Sequence, residues 1–329
     1  MREGVLSAIG NTPLVRLKRV MADIDFRLYA KLECLNPGGS MKDRPALGIL
    51  RHALDSGVLK PGAVVIESSS GNMGIGLAQA CLYFGLKFIC VVDPKATQQN
   101  IRLMKAYGAE VDLVKDPDPA TGEYLQARLN RVQELLGSTK SSFWPNQYAN
   151  LHNSYAHHET MHEIVKALNG KVDYLFCATS TCGTLRGCAE YIRKQNLNTK
   201  LYAVDAVGSV IFGGKKANRI IPGHGATIRP ALFQDDLAYD SIQAPDIACV
   251  QGCRRLALKE AILVGGSSGA VLFAVEQVKK RILPGANCVM IFADRGERYI
   301  DTIYSDEWVS AHFGDVEHLW ENLSQGHYA

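Results

Sequence analysis

The chain has 329 residues, of which 47% are apolar, 21% charged and 8% aromatic, with 30 glycines, 12 prolines and 9 cysteines. This length implies about two domains or one large α/β unit, and the apolar share excludes a disordered tail protein or a small disulfide scaffold. With 36 basic and 33 acidic residues, a formal charge of +3 and no basic block, there is no electrostatic case for a nucleic-acid partner.

Met1-Arg2-Glu3-Gly4 lacks a signal-peptide apolar core, and no apolar run reaches the roughly 18 residues of a membrane span, which implies a cytoplasmic chain with no membrane partner. The odd cysteine count, with Cys90, Cys177 and Cys288 in or beside apolar runs, implies buried reduced thiols. In chain order the pattern predicts a helix over 43–53, a strand over 64–66, a helix over 74–84 and a strand over 88–92. A helix over 98–107, a strand over 111–114, a polar loop over 115–122 and a helix over 122–136 follow. Residues 137–142 read as a second break, with a halving of the chain near 145. A helix over 154–168, strands over 174–178 and 201–204, a helix over 269–282 and a strand over 288–292 complete the series. Gly85, Gly108 and Gly170 close helices as left-handed caps do. Short apolar strands alternating with amphipathic stretches read as a doubly wound α/β protein with buried parallel strands.

Four loops stand at predicted strand ends or helix starts, and all suit an anion. Asn36-Pro37-Gly38-Gly39-Ser40-Met41-Lys42-Asp43-Arg44 places Lys42 at a helix N-terminus, an electropositive setting in which an amine deprotonates more readily and forms Schiff bases. Ser68-Ser69-Ser70-Gly71-Asn72-Met73-Gly74 offers three hydroxyls, an amide and free N–H groups. Thr179-Ser180-Thr181-Cys182-Gly183-Thr184 is hydroxyl-rich, and no lysine follows its glycine as in a Walker loop. The fourth is Gly265-Gly266-Ser267-Ser268-Gly269. Such loops gather at one edge of an α/β sheet, where ligands bind. Two further motifs are read as coincidental. Gly74-Ile75-Gly76 with Asp93 imitates a dinucleotide fingerprint but has Gln79 at the third glycine position, and His158-Glu159-Thr160-Met161-His162 lacks a third zinc ligand.

Together these segments resemble the fold-type II pyridoxal-phosphate enzymes, the cysteine synthase and cystathionine β-synthase family. The resemblance runs from Ile9-Gly10-Asn11-Thr12-Pro13-Leu14 to Asp294-Arg295-Gly296-Glu297-Arg298-Tyr299. It implies two doubly wound α/β domains with pyridoxal 5'-phosphate in the cleft between them, a homodimer, and small amino acid substrates. The smaller, mobile N-terminal domain would span 37–147, and the larger cofactor-binding domain 1–36 and 148–329. By this resemblance Lys42 carries the cofactor and acts as the catalytic base, and Asn72 touches the cofactor's phenolic oxygen. Ser69, Ser70, Asn72 and Met73 form the substrate-carboxylate loop, with Gln147 nearby. Ser180, Thr181, Cys182, Gly183 and Thr184 hold the phosphate, and Ser267 faces the pyridine nitrogen. A neutral hydroxyl there does not protonate the ring, which tilts the cofactor toward expelling a β-substituent over transamination.

Within the family, Gly39-Ser40-Met41-Lys42-Asp43-Arg44-Pro45, Asn146-Gln147-Tyr148-Ala149-Asn150 and Val207-Gly208-Ser209-Val210-Ile211-Phe212-Gly213 are similar to members of siderophore pathways. That similarity implies a transferase joining O-phospho-L-serine and L-glutamate into N-(2-amino-2-carboxyethyl)-L-glutamate plus phosphate, toward 2,3-diaminopropionate. Met73 stands where threonine is usual, Ser180 and Cys182 where glycines are, and Arg295 where serine is common. The alternative is a cysteine synthase using O-acetylserine or O-phosphoserine with sulfide, or a serine/threonine deaminase. A phosphorylated substrate and a dicarboxylate nucleophile both need cationic or multi-donor contacts. Arg128 is the candidate anion clamp, and Tyr148, beside Gln147, is a candidate to close over the substrate. The tail over 310–329, with His312, His318 and His327, carries no assigned role.

Overall fold

The computed structural model describes residues 3–320; residues 321–329, including His327 of the tail, lie outside the described residues. In chain order the elements are β1 (Leu14–Leu17), β2 (Arg27–Leu32), α1 (Asp43–Asp55), β3 (Val64–Ser68), α2 (Asn72–Tyr83), β4 (Lys87–Val92), α3 (Gln98–Ala106), β5 (Glu110–Leu113) and α4 (Tyr124–Ser138). Then come β6 (Ser142–Phe143), α5 (Leu151–Ala167), β7 (Tyr174–Ala178), α6 (Gly183–Lys194), β8 (Lys200–Ala206), β9 (Asp240–Ala244), α7 (Asp246–Glu260), α8 (Gly266–Val278), β10 (Asn287–Phe292) and α9 (Asp306–Phe313). They form two compact units, one of residues 3–10 and Asn36–Ala156, the other of Asn11–Leu35 and 157–320.

The first unit holds a wholly parallel four-stranded sheet in the order β5-β4-β3-β6. Successive β3 side chains alternate faces. Val65 joins a core with Leu50, Leu77, Phe88 and Met104, while Ile66 joins Val91 and Val132 of α4 in another. The second unit holds a six-stranded sheet in the order β1-β2-β10-β7-β8-β9, parallel except for the β1–β2 pair. Every residue of β10, Asn287 to Phe292, is buried, as a central strand with both faces covered requires.

All six strands expected from apolar runs are present, and β1, β2, β6 and β9 add to them. The four extra strands are short, polar or edge elements. Arg27-Leu28-Tyr29-Ala30-Lys31-Leu32 is not a continuous apolar run, yet Lys31 is buried, its Nζ held by the Thr12 carbonyl and paired with Glu163. Several helix starts also differ from expectation. Helix α2 begins at Asn72, with Gly71 as its N-cap, and α8 begins at Gly266, after Gly265 takes the extended N-cap geometry. Helix α4 begins at Tyr124, since Gly122 turns with φ +70°, and it continues through Gly137 to Ser138, which narrows the expected break. Gly85, Gly108 and Gly170 adopt φ of +67°, +80° and +81°, the left-handed caps expected of them.

Helix α8 is seated on α7 by a glycine contact. A Cβ at Gly269 would stand 2.1 Å from the Cys249 carbonyl oxygen, and one at Gly252 would stand 2.4 Å from the Gly269 carbonyl oxygen. No side chain fits where backbone meets backbone, so this contact fixes the helix that carries Ser267 in its first turn. Gly269→Val should destabilise the protein by about 1–3 kcal/mol or more through overpacking. Denaturant unfolding checks this; an unchanged midpoint would mean that the helices separate freely there.

Candidate active site

In the first unit the chain leaves β3 at Ser68 and turns through Ser69, Ser70 and Gly71 into α2. Ser69 Oγ accepts hydrogen bonds from Gly74 N at 2.9 Å and Gly71 N at 3.4 Å, so one hydroxyl organises the turn. Asn72 and Met73 form the first turn of α2, at the positive end of its dipole. The glycines of the apparent dinucleotide motif have a packing role. A Cβ at Gly74 would lie 2.6 Å from Met104 Sδ, and one at Gly76 would lie 3.1 Å from the Lys42 carbonyl oxygen. Gly76 thus lets the start of α1, with Lys42 as its N-cap, lie directly against α2. Lys42 N donates to Ser40 Oγ at 3.1 Å, and Gly39 turns the loop with φ +82°.

Two of the other expected residues converge on the same strand end. Gln147 Nε2 donates to the Ser68 carbonyl at 3.1 Å. Arg128, on α4, donates from Nη1 to Ser70 Oγ at 3.0 Å, and its Nε lies 3.1 Å from Asp93 Oδ2. The guanidinium is therefore held at the loop by Asp93, which closes β4. Tyr148 lies half-buried in the turn after Gln147. Beneath the loop lies Glu67, fully buried, which the sequence reading passed over. Its Oε1 accepts from Ser68 N at 2.8 Å and from the Trp144 indole at 3.2 Å, and its Oε2 accepts from Gln147 N at 3.1 Å. Burial pushes this carboxyl from 4.5 up to about 7, against the pull of those donors and of Arg128.

In the second unit β7 ends at Ala178, and the hydroxyl-rich loop runs into α6. Cys182 takes a left-handed φ of +65° at the N-cap, and Thr181 and Thr184 are buried beside the first amides of the helix. Thr184 Oγ1 lies 3.2 Å from Nε2 of the fully buried His157, another residue without a sequence signal of its own. Ser180 Oγ donates to the Gly225 carbonyl at 3.3 Å, and Gly225 N donates to the Thr179 carbonyl at 2.6 Å. Two residues earlier Gly223, with φ +97°, faces Ser267: a Cβ there would stand 3.3 Å from Ser267 Oγ. The turn over 223–225 thus links Ser180 to Ser267. Arg295 donates from Nε to the Cys34 carbonyl at 3.0 Å.

The residues of the zinc-like motif engage α6. His158 Nε2 lies 3.1 Å from Glu190 Oε2, and His162 Nδ1 lies 3.1 Å from the Tyr191 hydroxyl. Among the described residues no group of three or more His, Cys, Asp or Glu is arranged to hold a metal. All nine cysteines are free and buried, and burial raises the thiols of Cys34, Cys90 and Cys253 to about 12. No helix of the described residues is long and apolar enough to cross a membrane.

The residues of the second unit fit a flat, phosphorylated ring. The α6 N-terminus offers amides opened by a left-handed Cys182 and two buried threonine hydroxyls, a setting for a phosphate. Bare backbone at Gly223 leaves the Ser267 hydroxyl uncrowded, and no hydrogen bond to that hydroxyl occurs among the described residues.

The raised Glu67 carboxyl has a consequence for stability. Below about pH 4.5 it is protonated folded and unfolded; as pH rises toward about 7 only the unfolded form ionises readily, so the folded state loses stability across that window. Relative to Glu67→Gln, the wild type should lose on the order of 2–3 kcal/mol between pH 5 and pH 8. Parallel unfolding curves at the two pH values check this, and an equal difference at both would contradict it.

A family model described as "Pyridoxal-phosphate dependent enzyme" matches residues 5–294. Among solved structures, a hydrogen sulfide-producing enzyme from Fusobacterium nucleatum is 36% identical, with TM-score 0.85, over 91% of this chain and 100% of that one. An O-acetylserine dependent cystathionine β-synthase from Helicobacter pylori is 31% identical, with TM-score 0.85, over 92% and 98%. O-acetylserine sulfhydrylase isoform 3 from Entamoeba histolytica is 30% identical, with TM-score 0.86, over 99% and 97%. With its α/β architecture, its two parallel-stranded units and this match along nearly its whole length, the chain belongs to the pyridoxal-phosphate dependent enzyme family.

Proposed function

We propose that this enzyme catalyses a β-replacement in which O-phospho-L-serine and L-glutamate give N-(2-amino-2-carboxyethyl)-L-glutamate and phosphate, a route toward 2,3-diaminopropionate in siderophore biosynthesis. The observation that carries this reading is Arg128: a guanidinium only 12% exposed, fixed at the carboxylate loop through Ser70 and Asp93. Its planar fork has five donors, and the two contacts described leave others for an anionic β-substituent. An acetyl ester would make no such demand.

In this reading Ser180 to Thr184 would hold the cofactor's phosphate, Ser267 would meet its ring nitrogen and Asn72 would meet its phenolic oxygen. Bound there, pyridoxal phosphate supplies an electron sink for negative charge developing at the substrate α-carbon. Ser69, Ser70, Met73 and the first amides of α2 bind the substrate carboxylate, with Gln147 completing the set. Lys42 Nζ takes the α-proton as general base. Arg128 steadies the phosphate as it leaves, and Tyr148 covers the site against water. The glutamate amine then bonds to the β-carbon, giving up one proton, and Lys42 returns a proton to the α-carbon.

Sulfide as nucleophile is the second reading, favoured by the similarity to the Entamoeba O-acetylserine sulfhydrylase. Product mass spectrometry on O-phosphoserine or O-acetylserine, each offered with glutamate or with sulfide, decides between them. The proposal expects the glutamate adduct from O-phosphoserine as the efficient product; efficient cysteine formation from O-acetylserine would overturn it. Lys42→Ala should lose the visible cofactor band of the wild type and slow turnover by roughly 10²–10⁴-fold. Arg128→Ala should raise KM for O-phosphoserine by roughly 10–100-fold and affect O-acetylserine far less. Equal effects on both donors would remove Arg128 from phosphate recognition.

A further inference from the structure

A buried carboxylate with no substrate contact of its own is costly to keep, unless what it holds matters. Glu67 sits at the end of β3 with no exposed surface, where an apolar or amide side chain would avoid that cost. Its three described donors come from two separate stretches of chain. Ser68 N belongs to the loop that opens α2, whereas the Trp144 indole and Gln147 N belong to the segment after β6. Gln147 closes the circuit, since its Nε2 donates back to the Ser68 carbonyl at 3.1 Å while its own carbonyl accepts from Asn153 Nδ2 at 2.7 Å. The backbone N–H and carbonyl of Gln147 and one hydrogen of its side-chain amide are committed, which leaves the second amide hydrogen for a carboxylate, and the residue is 6% exposed.

We propose that Glu67 is the positioning residue of the amino acid carboxylate site, its ionised side chain clasping the Gln147 segment to the 68–73 loop so that the two bind substrate as one surface. The proposal rests on the reading of Ser69, Ser70 and Gln147 as carboxylate ligands and does not depend on the leaving group or the nucleophile.

As a carboxylate, Glu67 accepts from all three donors. Once it is protonated, one oxygen carries a hydrogen that must face an N–H, and the clasp loses a member. The charged and titratable groups coupled to it are Arg128 from α4, which favours the anion, and the Cys90 thiol on β4, itself raised by burial. With the carboxyl raised to about 7, the clasp closes above neutrality and loosens below it. A glutamine at 67 fails in every pH range, because Oε1 takes two donors and Oε2 one, so its NH₂ always confronts an N–H.

The test uses holoenzyme and L-serine, which carries the same α-carboxylate without an activated leaving group, with Kd read from the visible cofactor spectrum. The ratio of Kd for Glu67→Gln to that of wild type should be near one at pH 5.5, where both carry a proton at this position. It should rise to roughly tenfold at pH 8. A purely structural defect would give a ratio independent of pH, and that result, or a ratio of one throughout, overturns the proposal. Trp144→Phe provides a second measurement should Glu67→Gln fold poorly. Losing one donor to the anion raises the carboxyl further, so the step in serine affinity should move to higher pH; an unmoved step contradicts the clasp. If the clasp holds while O-phosphoserine proves inert, the substrate assignment fails and this inference stands.

Discussion

Parallel strand pairing is the constraint from which the arrangement of each unit follows. Parallel neighbours need crossover connections, so β3 and β4 in one unit, and β7, β8 and β10 in the other, all end on the same edge of their sheet. There β3, β4 and β7 hand the chain to a loop and then to a helix N-terminus, whose first amides have no partner within the helix. Asn72 and Gly183 open such helices, and hydroxyls from Ser69, Thr181 and Thr184 stand beside them. The outcome in each unit is an edge that attracts anions before any charged side chain is added.

What sharpens these edges is the ordering of a few groups by neighbours that touch no ligand. Asp93 holds Arg128 at the Ser70 loop; alone, that guanidinium would be a long, mobile cation. His157 meets Thr184, and the turn over 223–225 joins Ser180 to Ser267. Glycines matter here mainly where backbone meets backbone or a side chain closely. Gly76 brings Lys42 against α2, and Gly269 brings α8 onto α7.

How far the sequence was legible follows from what each residue's neighbours had to be. The strands with continuous apolar runs were readable, because burial on both faces leaves a local signature; β10 is the clearest, with all six residues buried. Strand β2 was hidden, because Lys31 looks like surface until Glu163 and the Thr12 carbonyl are seen beside it. Ser69, Ser70 and Arg128 stood out by residue type and Gln147 through the family resemblance, and the structure brings them to one strand end. Glu67 was not, since one acid at a strand end is ordinary and its partners lie near residue 145, distant in sequence. His157 was passed over for a similar reason: the motif drew attention to His158, whereas the neighbouring histidine is the one that meets Thr184.

The central claim is that O-phosphoserine is the donor and that sustained turnover of its phosphate requires glutamate as the accepting amine. Phosphorus NMR of O-phosphoserine incubated with the holoenzyme tests it most directly. The account predicts release of inorganic phosphate one for one with glutamate consumed, and far slower release when glutamate is withheld. Phosphate release indifferent to glutamate, or none while O-acetylserine and sulfide are turned over, would contradict it.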